Sequence, residues 1–311
     1  MEQTGRPGRQ INITASTRLF AVLGHPVGHS LSPPMQNAAL AEMGLDAIYM
    51  AFEVPPERLE PALRGLAALG AAGVNLTLPL KERAVPLVDW VAPEAQRIGA
   101  VNTIKIVGQR TEGYNTDAPG FLAAVRSCGV NPAGKPCVVL GAGGSARAVA
   151  LALAGAGARI TLANRTVERA MELARILHDG GKGPVTHVLR PDSPDLEAAL
   201  AAAALLVNTT PVGMAPHTDD PLPVPASALH PHLFVYDLIY NPPETRLLAE
   251  ARRRGARGAN GIGMLAHQGA LALEIWTGRP APAATMERVL REALGDTNQD
   301  FDPARREALG A

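Results

Sequence analysis

The chain has 311 residues, 47% of them apolar, and its 29 lysines and arginines balance 29 aspartates and glutamates for a formal net charge of zero. That length predicts about two domains, and the neutral balance speaks against the basic surface that a nucleic-acid partner needs. Two cysteines, Cys128 and Cys137, give no disulfide framework and no metal spacing, and the uncharged run after Glu197 turns polar at Asn208 within about ten residues, short of the ~20 that a membrane span requires. The expectation is a cytoplasmic protein in a reducing compartment that works on a small molecule, with no nucleic acid, membrane or metal.

Residues 1–17 are polar, lack the apolar core of a secretory signal and read as a tail. "RLFAVLG" then predicts a strand and "SPPMQNAALAEMG" a helix, with Ser32 as its cap and prolines in its first turn. "AIYMAFEV" reads as a strand, "PERLEPALRGLAALG" as a helix and "AAGVNLTLP" as a strand that ends near Lys81. "VNTIKIVGQRTEGYNT" predicts two short strands joined at Gly108–Gln109, and "DAPGFLAAVRSCG" a connecting helix. After the turn "NPAGKP" a second alternation begins at "CVVLGAGGSARAVALALAGAGARITLANRT" and continues through the strands "VTHVLR", "LLVNTT" and "FVYDLIY". An apolar helix from Gly261 to about Trp276 and a final helix, "ATMERVLREALG", precede a polar tail. Strands alternating with amphipathic helices predict βαβ units in an α/β fold.

Two regions carry chemistry. Gly141, Gly143 and Gly144 follow an apolar strand and open a helix. Bare backbone there lets a pyrophosphate approach the free N–H groups of the helix start. Where an NAD site usually has an acidic residue for the ribose 2′-hydroxyl, this chain has Asn164, Arg165 and Thr166, with Arg169 one turn on. Arginine forks suit a 2′-phosphate, so the expected cofactor is NADP.

At the other end, Ser30 and Ser32 lie at a helix start, where two hydroxyls can hold a carboxylate or simply cap the helix. Asn75, Thr77 and Lys81, then Asn102 and Thr103, then Asn115, Thr116 and Asp117 gather at expected strand ends. In a parallel sheet the carboxyl ends line the ligand crevice. These polar groups suit a polyol, although Asn and Asp also favour turns.

The blocks "GHPVGHSLSPPMQN", "GVNLTLPLK", "GAVNTI", "GYNTD", "GAGGSARA", "NRT", "NTTPVGM", "YDLIYNPPETRLL" and "NGIGMLAHQGALALEIW" occur in one order. Together they resemble the NADP-dependent shikimate dehydrogenases from about residue 18 to 294. The resemblance implies reversible NADPH-dependent reduction of 3-dehydroshikimate to shikimate, a step of aromatic amino acid and chorismate biosynthesis. It implies two domains separated by a cleft: a substrate domain with a parallel or mixed sheet from residues 18–117 and 260–294, and a Rossmann-like NADP domain from 118–259. Residues 295–311 fall outside it as a second tail. By motif match, Lys81 and Asp117 form the catalytic pair. Ser30 and Ser32 hold the substrate carboxylate, and Asn75, Thr77, Asn102 and Gln268 meet its hydroxyls beside Tyr240. Gly141, Ala142, Gly143, Gly144 and Ser145 cradle the pyrophosphate. Asn164, Arg165, Thr166 and Arg169 bind the adenosine phosphate, and Met214 and Gly261 flank the nicotinamide.

Three positions depart from the family's usual pattern: Gln36 where histidine is common, Ala118 where glycine is common and Asn260 where aspartate is common. A quinate/shikimate dehydrogenase, which often uses NAD, is the nearest alternative, and the Ser30/Ser32 pair and Arg165 argue against it. A non-catalytic sensor on the same fold could lose the acid–base pair, which this chain keeps. A monomer or a homodimer is expected.

Overall fold

A computed structural model describes residues 13–178 and 185–296. Most of the two expected tails therefore lies outside the described residues. The first half builds β1 (Arg18–Gly24), α1 (Ser32–Glu42), β2 (Ala47–Glu53), α2 (Leu59–Ala68), β3 (Gly73–Leu76), β4 (Trp90–Val91), α3 (Pro93–Ile98), β5 (Thr103–Val107) and β6 (Arg110–Tyr114). Its six strands lie in the order β2-β1-β3-β5-β6-β4. The first three run parallel, while β5 is antiparallel to both β3 and β6.

This mixed sheet corrects one reading of the sequence. Asn102 and Thr103 sit at the start of β5, not at a carboxyl end. Because β5 is reversed, its start lies at the same edge as the ends of β3 and β6, and the three polar clusters still converge.

After α4 (Asp117–Ser127) come β7 (Pro136–Leu140), α5 (Gly144–Gly155), β8 (Arg159–Ala163), α6 (Val167–His178), β9 (Val185–Leu189), α7 (Pro194–Ala202), β10 (Leu205–Asn208), β11 (Phe234–Asp237), α8 (Arg246–Arg253) and β12 (Arg257–Ala259). The second sheet is parallel throughout, in the order β12-β11-β10-β7-β8-β9. This is a doubly wound sheet whose strand order reverses between β7 and β10, the place where such sheets bind ligands. β10 and β11 are buried along their whole length, as expected of central strands covered on both faces.

The closing helices, α9 (Ile262–Thr277) and α10 (Ala283–Leu294), return to the first sheet. Ile262, Ala266, Leu273 and Trp276 of α9 and Met286 and Leu290 of α10 share a core with Phe20, Val22, Met35, Leu40 and Tyr49. The Trp276 ring stacks on Phe20 at 5.0 Å, and its Nε1 donates to the Ile104 carbonyl at 2.9 Å. Gly73 leaves room for that indole, which any Cβ there would strike. On the other side of the molecule, α4 gives Phe121, Ala124 and Val125 to the core beneath α5 and the second sheet. Where α4 and α9 cross, a Cβ at Gly120 would come within 2.7 Å of the Gln268 nitrogen, so the helices approach there at backbone distance.

The helix at Ser32 differs from expectation. Its N-cap is Leu31 with no side-chain cap, and Ser32 is already helical. The Ser30 hydroxyl instead accepts from the Ser32 N–H at 3.3 Å. The strand at Gly73 stops at Leu76, before the turn in which Leu80 N–H donates to Thr77 O. No helix among the described residues is long and apolar enough to cross a membrane.

Candidate active site

At the converging edge of the first sheet the polar side chains form one network. Lys81 Nζ lies 2.6 Å from Asp117 Oδ2. Asp117 Oδ1 accepts from Asn102 Nδ2 at 2.8 Å, and the same amide donates to Thr116 Oγ1 at 3.0 Å. Asn102 Oδ1 accepts from Thr116 N at 2.8 Å and Thr103 Oγ1 at 3.0 Å. Asn75 Nδ2 donates to Thr103 Oγ1 at 3.0 Å and to the Asn102 carbonyl at 3.1 Å. Asn115, also expected here, fixes the start of α4 by accepting from Asp117 N at 3.0 Å. Asn75, Asn102, Thr103, Thr116 and Asp117 are buried, whereas Lys81 stays partly open to solvent.

The network continues to a residue the sequence reading missed. Tyr49 O–H donates to Asn75 Oδ1 at 2.8 Å, and the Ser32 side chain lies near the phenol. Burial pushes this phenol well above its ordinary pKa, opposed by the nearby Ser32 side chain. Tyr49 thus links the Ser30/Ser32 end to the Asn75/Asn102 end. The available signal was a tyrosine in an otherwise apolar strand, since a buried hydroxyl requires a partner.

Other expected residues sit apart from these bonds. The Thr77 methyl packs over Gly24, where a Cβ would strike it. Gln268 Nε2 turns back to the Leu265 carbonyl at 2.8 Å. Tyr240 packs half-buried beside the core of α1, α9 and α10, and burial raises its pKa. The three departures from the usual pattern lie at joints. Gln36 is buried and donates to the Gly269 carbonyl at 3.2 Å, Asn260 donates to the Pro243 carbonyl at 2.9 Å, and Ala118 packs with Ile98, Ala100 and Ala148.

At the second sheet, Gly141 has φ +108°, a conformation that L side chains rarely adopt. Around Gly143 a Cβ would meet nothing within 4 Å, so the backbone faces open space. No side chain caps α5, leaving the N–H groups of its first turn directed at that space. A cavity of about 290 Å³ lies there, lined by Ala142, Gly143, Gly144, Arg147, Arg169, Glu172, Leu173 and Glu82. Ser145 is exposed beside it.

Asn164 donates to the Thr166 carbonyl at 2.8 Å, which folds the "NRT" turn. Arg165, Thr166 and Arg169 are exposed, and among the described residues neither arginine pairs with a carboxylate. Met214 is exposed in the turn after β10. Gly261 is buried at the start of α9, where a Cβ would strike the Leu238 carbonyl. An uncapped helix start, bare backbone and two arginines with no carboxylate partner among the described residues fit a dinucleotide with an extra phosphate. Both cysteines are free and burial pushes Cys137 up to about 12, so neither is poised as a thiolate nucleophile.

Residues 22–104 match the shikimate dehydrogenase substrate binding domain, residues 124–209 the shikimate/quinate 5-dehydrogenase family and residues 261–291 the shikimate 5′-dehydrogenase C-terminal domain. The shikimate dehydrogenase (NADP(+)) of Moorella thermoacetica is 52% identical over 92% of this chain and 96% of its own length. The chain belongs to the shikimate dehydrogenase family. The crystal structure of Thermus thermophilus shikimate 5-dehydrogenase in complex with NADP(H) and shikimate superposes with a TM-score of 0.81 at 45% identity, covering 89% of this chain and all of that one. Quinate dehydrogenase of Corynebacterium glutamicum, in complex with NAD, has a TM-score of 0.82 at 31% identity over 89% of this chain and 99% of its own. Shikimate dehydrogenases and quinate dehydrogenases therefore share this fold, and the site decides between them.

Proposed function

We propose that this shikimate dehydrogenase reduces 3-dehydroshikimate to shikimate reversibly with NADPH. One observation carries the reading. Lys81 joins the buried polar network through Asp117, and its neighbour Glu82 lines the cavity at the glycine turn. Two adjacent residues thus stand at the polyol end and at the phosphate end, so the reaction lies between them.

In this reading Ser30 and Ser32 take the substrate carboxylate, and Asn75, Thr77, Asn102 and Gln268 take its hydroxyls beside Tyr240. Gly141 to Ser145 cradle the pyrophosphate, Asn164, Arg165, Thr166 and Arg169 take the adenosine phosphate, and Met214 and Gly261 flank the nicotinamide. Residues 18–117 with 260–294 form the substrate domain and 118–259 the cofactor domain. The protein works in the cytoplasm as a monomer or homodimer, on a small molecule alone.

NADP, when bound, supplies the hydride chemistry. The chain's own task is the proton. Reduction adds a proton to the carbonyl oxygen, and oxidation removes one from the hydroxyl. Asn102 holds one Asp117 oxygen and Lys81 holds the other. The carboxylate is therefore oriented, and the amine is held where it can give or take that proton. The pair acts as a unit.

The test is the absorbance of reduced nicotinamide with shikimate or quinate and NADP or NAD. Shikimate with NADP is expected to turn over fastest. Faster turnover of quinate with NAD would replace this reading with the quinate one, and no turnover in any pair would favour a sensor.

A further inference from the structure

We propose that Asp237 is a positioning residue for the nicotinamide end of the site. It rests on the reading above that Met214, Gly261 and Tyr240 flank the reacting groups. β10 and β11 run parallel and end side by side, with Asn208 opposite Asp237. Both residues are fully buried.

Asp237 Oδ2 accepts from Thr245 Oγ1 at 2.7 Å, and Oδ1 accepts from Asn208 Nδ2 at 3.0 Å and Ile239 N at 3.2 Å. Asn208 passes the constraint on, because its own Oδ1 accepts from Thr210 N at 3.0 Å and Thr210 Oγ1 at 2.7 Å. One carboxylate therefore pins the first residues of both loops that leave these strands. The loop after β10 carries Met214, and the loop after β11 carries Tyr240. Ala215 N donates to the Asn241 carbonyl at 3.1 Å and joins the two loops. Gly261 N donates to the Ile239 carbonyl at 3.0 Å, which brings the start of α9 onto the same support.

Every group bonded to this carboxylate is a donor: a hydroxyl, an amide NH₂ and a backbone N–H. A side chain that only accepts is required, and asparagine would turn N–H groups toward at least one of these donors. Among the described residues no lysine or arginine pairs with Asp237. Burying an unpaired carboxylate costs free energy that an apolar residue would not. Its geometric benefit is to fix the two loops. Asp237 touches no reacting atom in this scheme and acts through Met214, Gly261 and Tyr240.

The experiment compares binding of NADP with binding of 2′-phospho-ADP-ribose, which lacks only the nicotinamide ring, and of 2′,5′-ADP, which lacks the whole nicotinamide mononucleotide half, in wild type and Asp237→Asn, together with kcat at saturating substrates. Loss of one or two hydrogen bonds at the loops should weaken NADP about tenfold and lower kcat at least as much, with the other two ligands within about twofold. A folded variant with NADP affinity and kcat both near wild type would overturn the proposal. So would equal losses for all three ligands, the mark of general loosening. If Asp237→Asn does not fold, Thr245→Val and Thr245→Ser replace it. Serine keeps the donor and should match wild type, whereas valine should show the same selective loss. Identical behaviour of the two would also overturn the proposal. Wild type that neither binds NADP nor oxidises shikimate would instead overturn the functional reading.

Discussion

Around Asn102, side chains from β2, β3, the turn at Lys81, β5 and the start of α4 hold one another through hydrogen bonds of 2.6–3.2 Å. The turn from Gly141 to Ser145 offers little except main chain and space. A polyol demands several groups at fixed mutual positions, and mutual hydrogen bonds supply that rigidity. A pyrophosphate demands close approach and positive dipoles, which backbone provides best when side chains are absent. Substitutions at the first region should therefore interact strongly, and those at the second should act nearly alone.

The sharpest way to break the contrast is at Lys81. Lys81→Ala is expected to lower kcat by about 10²–10⁴ while shikimate binding weakens far less. A surface lysine would cost under ~0.5 kcal/mol of stability and leave turnover intact, so turnover within about threefold of wild type across the pH range would remove Lys81 from the mechanism. Asp117→Asn should also lower kcat. The double variant should lose much less than the product of the single losses, because the two residues work as a unit. Multiplicative losses would mean that the network is not one device.

Next in size is the cofactor end. A charge-assisted hydrogen bond is worth roughly 1.5–3 kcal/mol, so Arg165→Ala should cost about ten- to a hundredfold of the preference for NADP over NAD. The ratio of the two KM values measures this, and an unchanged ratio would count against Arg165. A smaller change is expected from Ser32→Ala, which should raise the KM for shikimate and leave the KM for NADP alone. Thermal destabilisation with a normal KM would mark Ser32 as a structural residue.

The smallest effect is on stability. Burial, opposed by hydrogen bonds from Thr245, Ile239 and Asn208, raises the Asp237 carboxyl from 3.8 to about 6. Between those values the folded chain holds a proton that the unfolded chain has released. This group's contribution to stability therefore falls as pH rises from 3.8 to about 6, and levels off above it. Urea unfolding across this range should show a shallower decline in Asp237→Asn, and equal slopes would point to another group.

The same contrast governs what the sequence revealed. Glycines between a strand and a helix are visible in one dimension, because their purpose is local. So are the polar residues at strand ends. For Asn102 the convergence holds but the carboxyl-end placement does not, since the direction of β5 depends on a hairpin partner. Tyr49 escapes the sequence because its partner, Asn75, lies on another strand. Short or edge elements also escaped. The six residues of α3 are too few for a period to emerge. β12, inside "RRRGARGAN", is held by main-chain pairing with β11 and looks like a charged loop. α7 and α8 were likewise not anticipated, the first inside an alanine-rich run and the second beside a proline turn.

The placement of the two tryptophans gives the molecule a one-sided optical label. Trp276 is packed against Phe20 under the first sheet, and Trp90 lies in β4 of the same sheet, 5.5 Å from the Tyr114 ring. No tryptophan occurs between residues 118 and 259. Light absorbed near the red edge of the ultraviolet band thus excites only the side of the first sheet. The emission spectrum reports melting of that side while remaining largely blind to its neighbour, so a comparison with far-ultraviolet dichroism, which sees both, would reveal whether the two sheets come apart together or in turn.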